Sequence, residues 1–187
     1  MLGRLPLESL AVLAPLLAAH TTTPADVTVG IWGGWADLHP GSAAVLISAR
    51  GTDAAAVRDA EEAFRLEVEV SVDPQVAAAA VDGPRLALPG REYVLLSADA
   101  REFVDPEWTR TAGIGWHGGF RGPTPNILWP ADRSWFLATE IDFDSTVVGG
   151  SHELVGDILS NPQLEVAEVT EDTDLSSMGD RINPGFG

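Results

Sequence analysis

The chain has 187 residues, 45% of them hydrophobic and 21% charged, so it can bury a core and is not expected to be disordered. It has no cysteine, which excludes disulfides, thiol catalysis and cysteine-ligated metal sites and suits a reducing, cytoplasmic location. Its 28 acids against 11 bases give a net charge of −17, so we expect no nucleic-acid or membrane-surface partner and an attraction to basic partners.

The N-terminal segment "MLGRLPLESLAVLAPLLAAH" looks like a secretion signal, because an arginine precedes a leucine-rich run. Two features argue against that interpretation: Glu8 interrupts the apolar run, and "LAAHTTTP" is a poor cleavage site. The pattern favours an amphipathic helix packed on the core, with a kink or restart near Ala14 because Pro15 lacks a backbone donor. The leucines that share one face of this helix are Leu7, Leu10, Leu13 and Leu17.

The first half of the remaining chain alternates strand and helix patterns, separated by turn signals. A turn at 21–24 precedes this part, and its least determined segment, 66–72, fits either a strand or an exposed linker. The predicted elements are a strand at 26–32, a loop at 33–41, a strand at 43–49, a helix at 53–65 and a hairpin at 85–98 that turns at Pro89-Gly90.

The second half begins with a short helix or turn at 99–108 and a long irregular loop at 111–126. Four elements follow: a strand at 133–143, a strand at 145–150, a helix at 151–161 with Ser151 as N-cap, and a last strand at 162–169. Alternation along the first of these strands places Trp135, Leu137, Ile141 and Phe143 on one face. We expect 176–187 to be a loosely held tail. The order of elements predicts a single α+β domain over 1–187, with a mainly antiparallel sheet and helices packed on one face.

The block "PNILWPADRSWFLATEIDFDSTVVGGSHEL" (125–154) resembles one in a family of uncharacterised bacterial proteins. In that family a Trp-Pro-x-Asp-Arg-x-Trp segment leads into Thr-Glu-Ile-Asp and then Val-Gly-Gly-Ser. The segment "AAHTTTPADV" and the following "GIWGGW" are similar to its N-terminal part. This resemblance implies no activity. The chain is also similar to the SUKH-type immunity proteins in class and composition, though not in motif.

The acids Glu140, Asp142 and Asp144 recur at every second position, which places them on one face of the predicted strand. Such carboxylates could bind a divalent cation, or one of them could act as a general acid. The outward face of an antiparallel strand explains the same pattern, and we favour that interpretation. We therefore predict no metal site and no cofactor. From Ser134 to Asp180 the chain carries eleven acids and no arginine, so this segment is expected to build any strongly acidic face.

Tryptophans next to glycine or proline give the most specific signal. Trp35, Trp116 and Trp129 fall in predicted loops, where an apolar ring needs burial or a partner. Either they cap the end of the sheet or they form a binding surface. Asp132 and Arg133 are expected to stabilise the turn before the predicted strand as an ion pair or a cap.

The leading hypothesis is a non-enzymatic, immunity- or adaptor-like module that binds a basic protein. Trp35, Trp116 and Trp129 would provide contact area, and Glu140, Asp142 and Asp144 would steer the partner. The alternative is an enzyme or small-molecule binder whose pocket is formed by the 115–119 and 128–133 loops. In that case His117 and Glu140 are the candidate acid–base groups. No sequence pattern predicts the oligomeric state.

Overall fold

The computed structural model describes residues 3–35, 38, 72–114, 123–143 and 145–175. The predicted strand at 43–49, the helix at 53–65 and the tail at 176–187 lie outside the described residues. The helices are α1 (Leu7–Ala19), α2 (Pro74–Asp82), α3 (Trp108–Thr111), α4 (His152–Leu159) and a 3-10 helix at Ala100–Val104. The strands are β1 (Val27–Trp32), β2 (Arg85–Leu88), β3 (Arg91–Ala98), β4 (Ile127–Pro130), β5 (Phe136–Thr139) and β6 (Thr146–Gly149).

The six described strands form one sheet in the order β2-β3-β1-β4-β5-β6, which confirms the predicted α+β class. The pairs β2/β3, β4/β5 and β5/β6 are antiparallel. Strand β1 is also antiparallel to both of its neighbours, β3 and β4. The Ala131 N–H after β4 donates to the Asp26 carbonyl before β1, and the Ala100 N–H after β3 donates to the Pro24 carbonyl. Within the part of the chain that the structure describes, β2 and β6 are therefore the edges of the sheet.

The chain divides into two compact units. Unit 1 consists of Met1–Val29, Ser97–Pro106 and Pro125–Gly187, and unit 2 consists of Gly30–Leu96 and Glu107–Thr124. Strands β1 and β3 contribute residues to both units. The organisation of 1–187 as one domain stays a prediction.

Helix α1 supplies much of the core of unit 1, as its leucine spacing predicts. Its buried residues are Leu7, Leu10, Leu13, Ala14 and Leu17. The predicted restart near Ala14 is wrong, because the helix runs unbroken to Ala19. Pro15 is exposed, so its ring does not interrupt the buried leucine face.

Strand β5 has one buried and one open face. Trp135, Leu137 and Thr139 are at most 3% exposed, whereas Phe136 is 44% exposed. The Trp135 indole Nε1–H donates to the Leu17 carbonyl at 2.8 Å, which places α1 on the buried face. Helix α4 lies on the same face, because a Cβ added to Gly150 would contact both Leu154 of α4 and the Cβ of Trp135. The predicted packing of helices on one face therefore holds around β5.

The predicted strand at 133–143 is too long, because β5 ends at Thr139. Residues 140–143 form a turn closed by a hydrogen bond from the Phe143 N–H to the Glu140 carbonyl. The N-terminal segment occupies the neighbouring position, where the Gly3 N–H donates to the Phe143 carbonyl at 2.8 Å. Gly3 has φ +72°, and a Cβ there would lie 2.3 Å from the Ile141 carbonyl oxygen. Only glycine fits this close approach.

The hairpin β2–β3, strand β6 and helix α4 match their predictions. The hairpin turns at Pro89-Gly90, and Gly90 has φ +75°. The Ser151 hydroxyl accepts the Leu154 N–H at 3.2 Å and caps α4. The predicted strand at 162–169 is wrong: this segment is irregular and almost entirely exposed. Strand alternation would put Glu168 on the same face as Leu164 and Val166, so neither face of the segment is apolar enough to be buried.

Candidate functional site

The turn between β4 and β5 is held by the carboxylate of Asp132. Its oxygens accept hydrogen bonds from the Thr21 hydroxyl at 2.8 Å and from the Thr22 N–H and hydroxyl, both at 2.7 Å. The Ser134 N–H adds a fourth bond at 3.1 Å. Asp132 thus joins the β4–β5 turn to the chain between α1 and β1. Asp132 was predicted to stabilise the turn either through an ion pair with Arg133 or as a cap. The structure shows the cap, in which the carboxylate accepts backbone and hydroxyl hydrogen bonds.

These bonds determine the charge state of Asp132. Removal from water by itself raises the pKa of this carboxyl group. The hydrogen bonds from Thr22, Ser134 and Thr21 outweigh that effect and hold the pKa well below its ordinary value. Asp132 is therefore an ionised structural group at neutral pH and is not suited to proton transfer there.

Arg133 shapes the same turn through its backbone. Its N–H donates to the Pro130 carbonyl at 2.9 Å, and its φ of 55° lies in the left-handed region. The side chain is exposed, and no ion pair joins it to Asp132 within the described part of the chain. The predicted ion pair is therefore wrong, because the threonines and Ser134 already occupy the carboxylate.

Trp129 lies in strand β4 and not in a loop, which corrects the predicted position. Its ring stacks on Phe136 of β5 with centroids 6.1 Å apart and an interplanar angle of 23°. We call Trp129 and Phe136 the aromatic pair. It lies on the open face of β5, opposite Trp135, with Trp129 half-buried and Phe136 44% exposed. Phe136 was not among the predicted site residues, although strict alternation from Trp135 placed it on the opposite face.

Two of the three predicted acids do not lie on a strand. Glu140 and Asp142 lie in the turn after β5, and Asp144 is outside the described residues. One Glu140 carboxylate oxygen accepts the Ile141 N–H at 3.0 Å. Among the residues that the structure describes, no three histidine, aspartate or glutamate side chains converge as a metal site requires.

Acidic side chains remain abundant on the described surface of unit 1. Between 134 and 175, every described acidic side chain except the half-buried Glu140 is exposed, and the segment contains no arginine. The Asp157 carboxylate accepts a hydrogen bond from the His20 ring nitrogen Nε2 at 2.7 Å. The exposed acids are Asp142, Glu153, Asp157, Glu165, Glu168, Glu171, Asp172 and Asp174.

The structure does not bring the remaining predicted site residues together with the aromatic pair or the acids of unit 1. Trp35 belongs to unit 2, where its half-buried ring packs edge-on against Trp32 with centroids 5.5 Å apart and an interplanar angle of 82°. Trp116 and His117 lie outside the described residues. The pocket between the 115–119 and 128–133 loops, with its acid–base pair, therefore stays a prediction.

No protein-family model matches the chain, and neither the curated proteins nor the solved structures that were searched include a significant match. Among the helices within the described ranges, none has the length and apolar character needed to cross a bilayer.

Proposed function

We propose that this chain is a non-enzymatic binding module for a basic protein. The observation that carries the proposal is the aromatic pair, with Phe136 exposed on β5 and with no arginine among the acids of 134–175, the segment that contains Phe136. A packed core uses such rings on its inside, whereas this pair leaves Phe136 44% exposed.

The aromatic pair provides contact energy. Large rings that are already fixed by mutual stacking lose little side-chain entropy when a partner covers them, and aromatic residues are enriched among the residues that dominate binding energy. The hydrogen-bonded turn at Asp132 supports this rigidity, because it fixes the connection between the two strands that carry the rings.

The acids orient an approaching basic protein and raise its association rate. A net charge of −17 attracts a positively charged protein over distances of about a Debye length and repels acidic ones. Five acids from 165 to 174 lie on an exposed irregular segment, where their carboxylates stay hydrated until a partner arrives. Long-range attraction of this kind raises the association rate more than it raises the final affinity.

The test is a capture experiment with defined variants. Tagged protein is incubated with lysate of the native host at low and at high salt, alongside Phe136→Ser and the control Val104→Ser. Val104 is also an exposed apolar residue of unit 1, at 52% exposed, but it lies on the 3-10 helix. We expect a stoichiometric basic protein that is lost at high salt and with Phe136→Ser and is retained with Val104→Ser. Equal capture by both variants would refute the proposed surface.

A further inference from the structure

Among the described strands, β6 lies at the edge of the sheet, and its outer side has no strand partner there. The Thr139 N–H of β5 points to β4, where it donates to the Asn126 carbonyl. Because the backbone direction alternates along a strand, Phe136 and Ala138 point their N–H and C=O groups to β6. The register pairs these residues with Gly149 and Val147. The backbone groups of Thr146 and Val148 therefore point outward, and β6 has no charged residue or proline that would block this edge.

The open face next to this edge has a notch over Gly149. Gly149 is the cross-strand partner of Phe136, and a Cβ built on it would have no atom of the described residues within 4 Å. An aromatic ring opposite a glycine often lies over it. Here the Phe136 ring instead stacks on Trp129, on the other side of β5. We call this space between the Phe136 ring and the β6 edge the Gly149 notch.

We propose that the basic partner adds an extended segment to the β6 edge and places an arginine side chain in the Gly149 notch, against the Phe136 ring. This inference rests on the proposed function and specifies how the partner binds. A strand added beyond β6 lies about 10 Å from β5, at two strand spacings. An arginine side chain on that strand extends over Gly149 towards the near face of the Phe136 ring, and nothing on Gly149 obstructs it.

Arginine fits this notch better than the other side chains of a basic segment. Its planar guanidinium is weakly hydrated and stacks on aromatic faces, whereas the lysine ammonium is compact and strongly hydrated. A second copy of the chain is a poor occupant, because two bodies of charge −17 repel each other. Asp132 and Arg133, in the turn that precedes Phe136, contribute opposite charges that offset each other.

The probe is the capped peptide Arg-Thr-Val-Arg-Val-Thr-Arg, titrated into the full chain at low salt while the amide signals of Val148 and Gly149 are followed by NMR. One matched peptide replaces the central arginine with citrulline, which keeps the shape and removes the charge. A second carries an N-methyl group on every backbone amide, which removes the donors of both edges and prevents strand pairing. We expect the citrulline peptide to bind about tenfold more weakly and the N-methylated peptide not to shift these signals.

Two variants distinguish side-chain binding in the Gly149 notch from backbone pairing with the β6 edge. Gly149→Val fills the notch and leaves the backbone edge open, and it should fold because the added atoms meet no described neighbour. It should reduce the affinity for the arginine peptide about tenfold and leave that for the citrulline peptide unchanged. Val148→Pro removes an outward N–H while Val147 and Gly149 keep their pairing with β5, so it should weaken both peptides equally.

Equal binding of the arginine and citrulline peptides to the native chain would overturn the role of the notch, and native affinity in Val148→Pro would overturn strand addition. If no peptide shifts the β6 signals although a basic protein is captured in a salt-dependent manner, this inference fails and the proposed function stands. If no basic protein is captured either, both fail.

Discussion

Replacing Trp135 with phenylalanine tests how the sheet holds α1. The Leu17 carbonyl lies in the last turn of α1, where carbonyls lack helical donors, and the buried Trp135 indole N–H satisfies it at 2.8 Å. Trp135→Phe leaves that carbonyl without its donor, which costs about 1–3 kcal/mol, and the smaller ring leaves a void worth about 1 kcal/mol more. We therefore expect the free energy of unfolding to fall by about 2–4 kcal/mol.

The assay is urea unfolding followed by far-UV circular dichroism. With a slope of about 2 kcal/mol per molar urea, the midpoint should fall by about 1–2 M. The control is Trp129→Phe, which keeps an aromatic ring on Phe136 at a half-buried position and should cost less than about 1 kcal/mol. A loss below about 0.5 kcal/mol in Trp135→Phe would refute the role assigned to the indole hydrogen bond.

Three further predictions concern the turns that support the aromatic pair. Because the folded-state pKa of Asp132 is depressed, its stabilising effect is present above the unfolded value of about 3.9 and is lost as the pH falls towards the folded value. The stability difference between the native chain and Asp132→Asn should therefore shrink with acidification, and a constant difference in urea titrations would contradict this. Arg133→Gly should raise the free energy of unfolding by about 0.5–1 kcal/mol, because relief of the left-handed backbone exceeds the entropy that glycine adds to the unfolded chain; a lower melting temperature would count against it. Gly3→Ala should lower the free energy of unfolding by about 1–3 kcal/mol through the clash with the Ile141 carbonyl, and an unchanged urea midpoint would show that the N-terminal segment is not held there.

Local patterns were sufficient where one face of an element meets the core. The leucine spacing of α1 and the alternation of Trp135 and Leu137 predicted which residues are buried, because the periods of helix and strand are fixed by backbone geometry. The turn at Pro89-Gly90 and the Ser151 cap were predictable for the same reason, since their backbone requirements are local.

The pattern failed where contacts with other segments decide the outcome. Alternation continues through Ile141 and Phe143, yet β5 stops at Thr139, because the pairing of Thr139 with Thr146 makes 140–145 the connection to β6. The partners of Asp132 are remote, since Thr21 and Thr22 precede it by more than a hundred positions. Nothing in the residues around these positions indicates which part of the chain will lie beside them.

The candidate site was accessible from sequence only in part. Tryptophan content drew attention to Trp129, although its position in a strand was missed. The open Gly149 notch follows from the register of β5 against β6 and from the direction in which the Phe136 ring leans. A one-residue change in register would move Phe136 away from Gly149, and register depends on contacts made across the whole sheet.

We propose that the aromatic pair binds a basic protein. The affinity of the captured partner for the native chain, Phe136→Ser and Val104→Ser, measured across a series of salt concentrations, tests this proposal. We expect binding that weakens as salt rises, falls at least tenfold in Phe136→Ser and is unchanged in Val104→Ser, since a dominant contact residue contributes about 1.4 kcal/mol or more. Binding that is independent of salt, or equal in both variants, would contradict it.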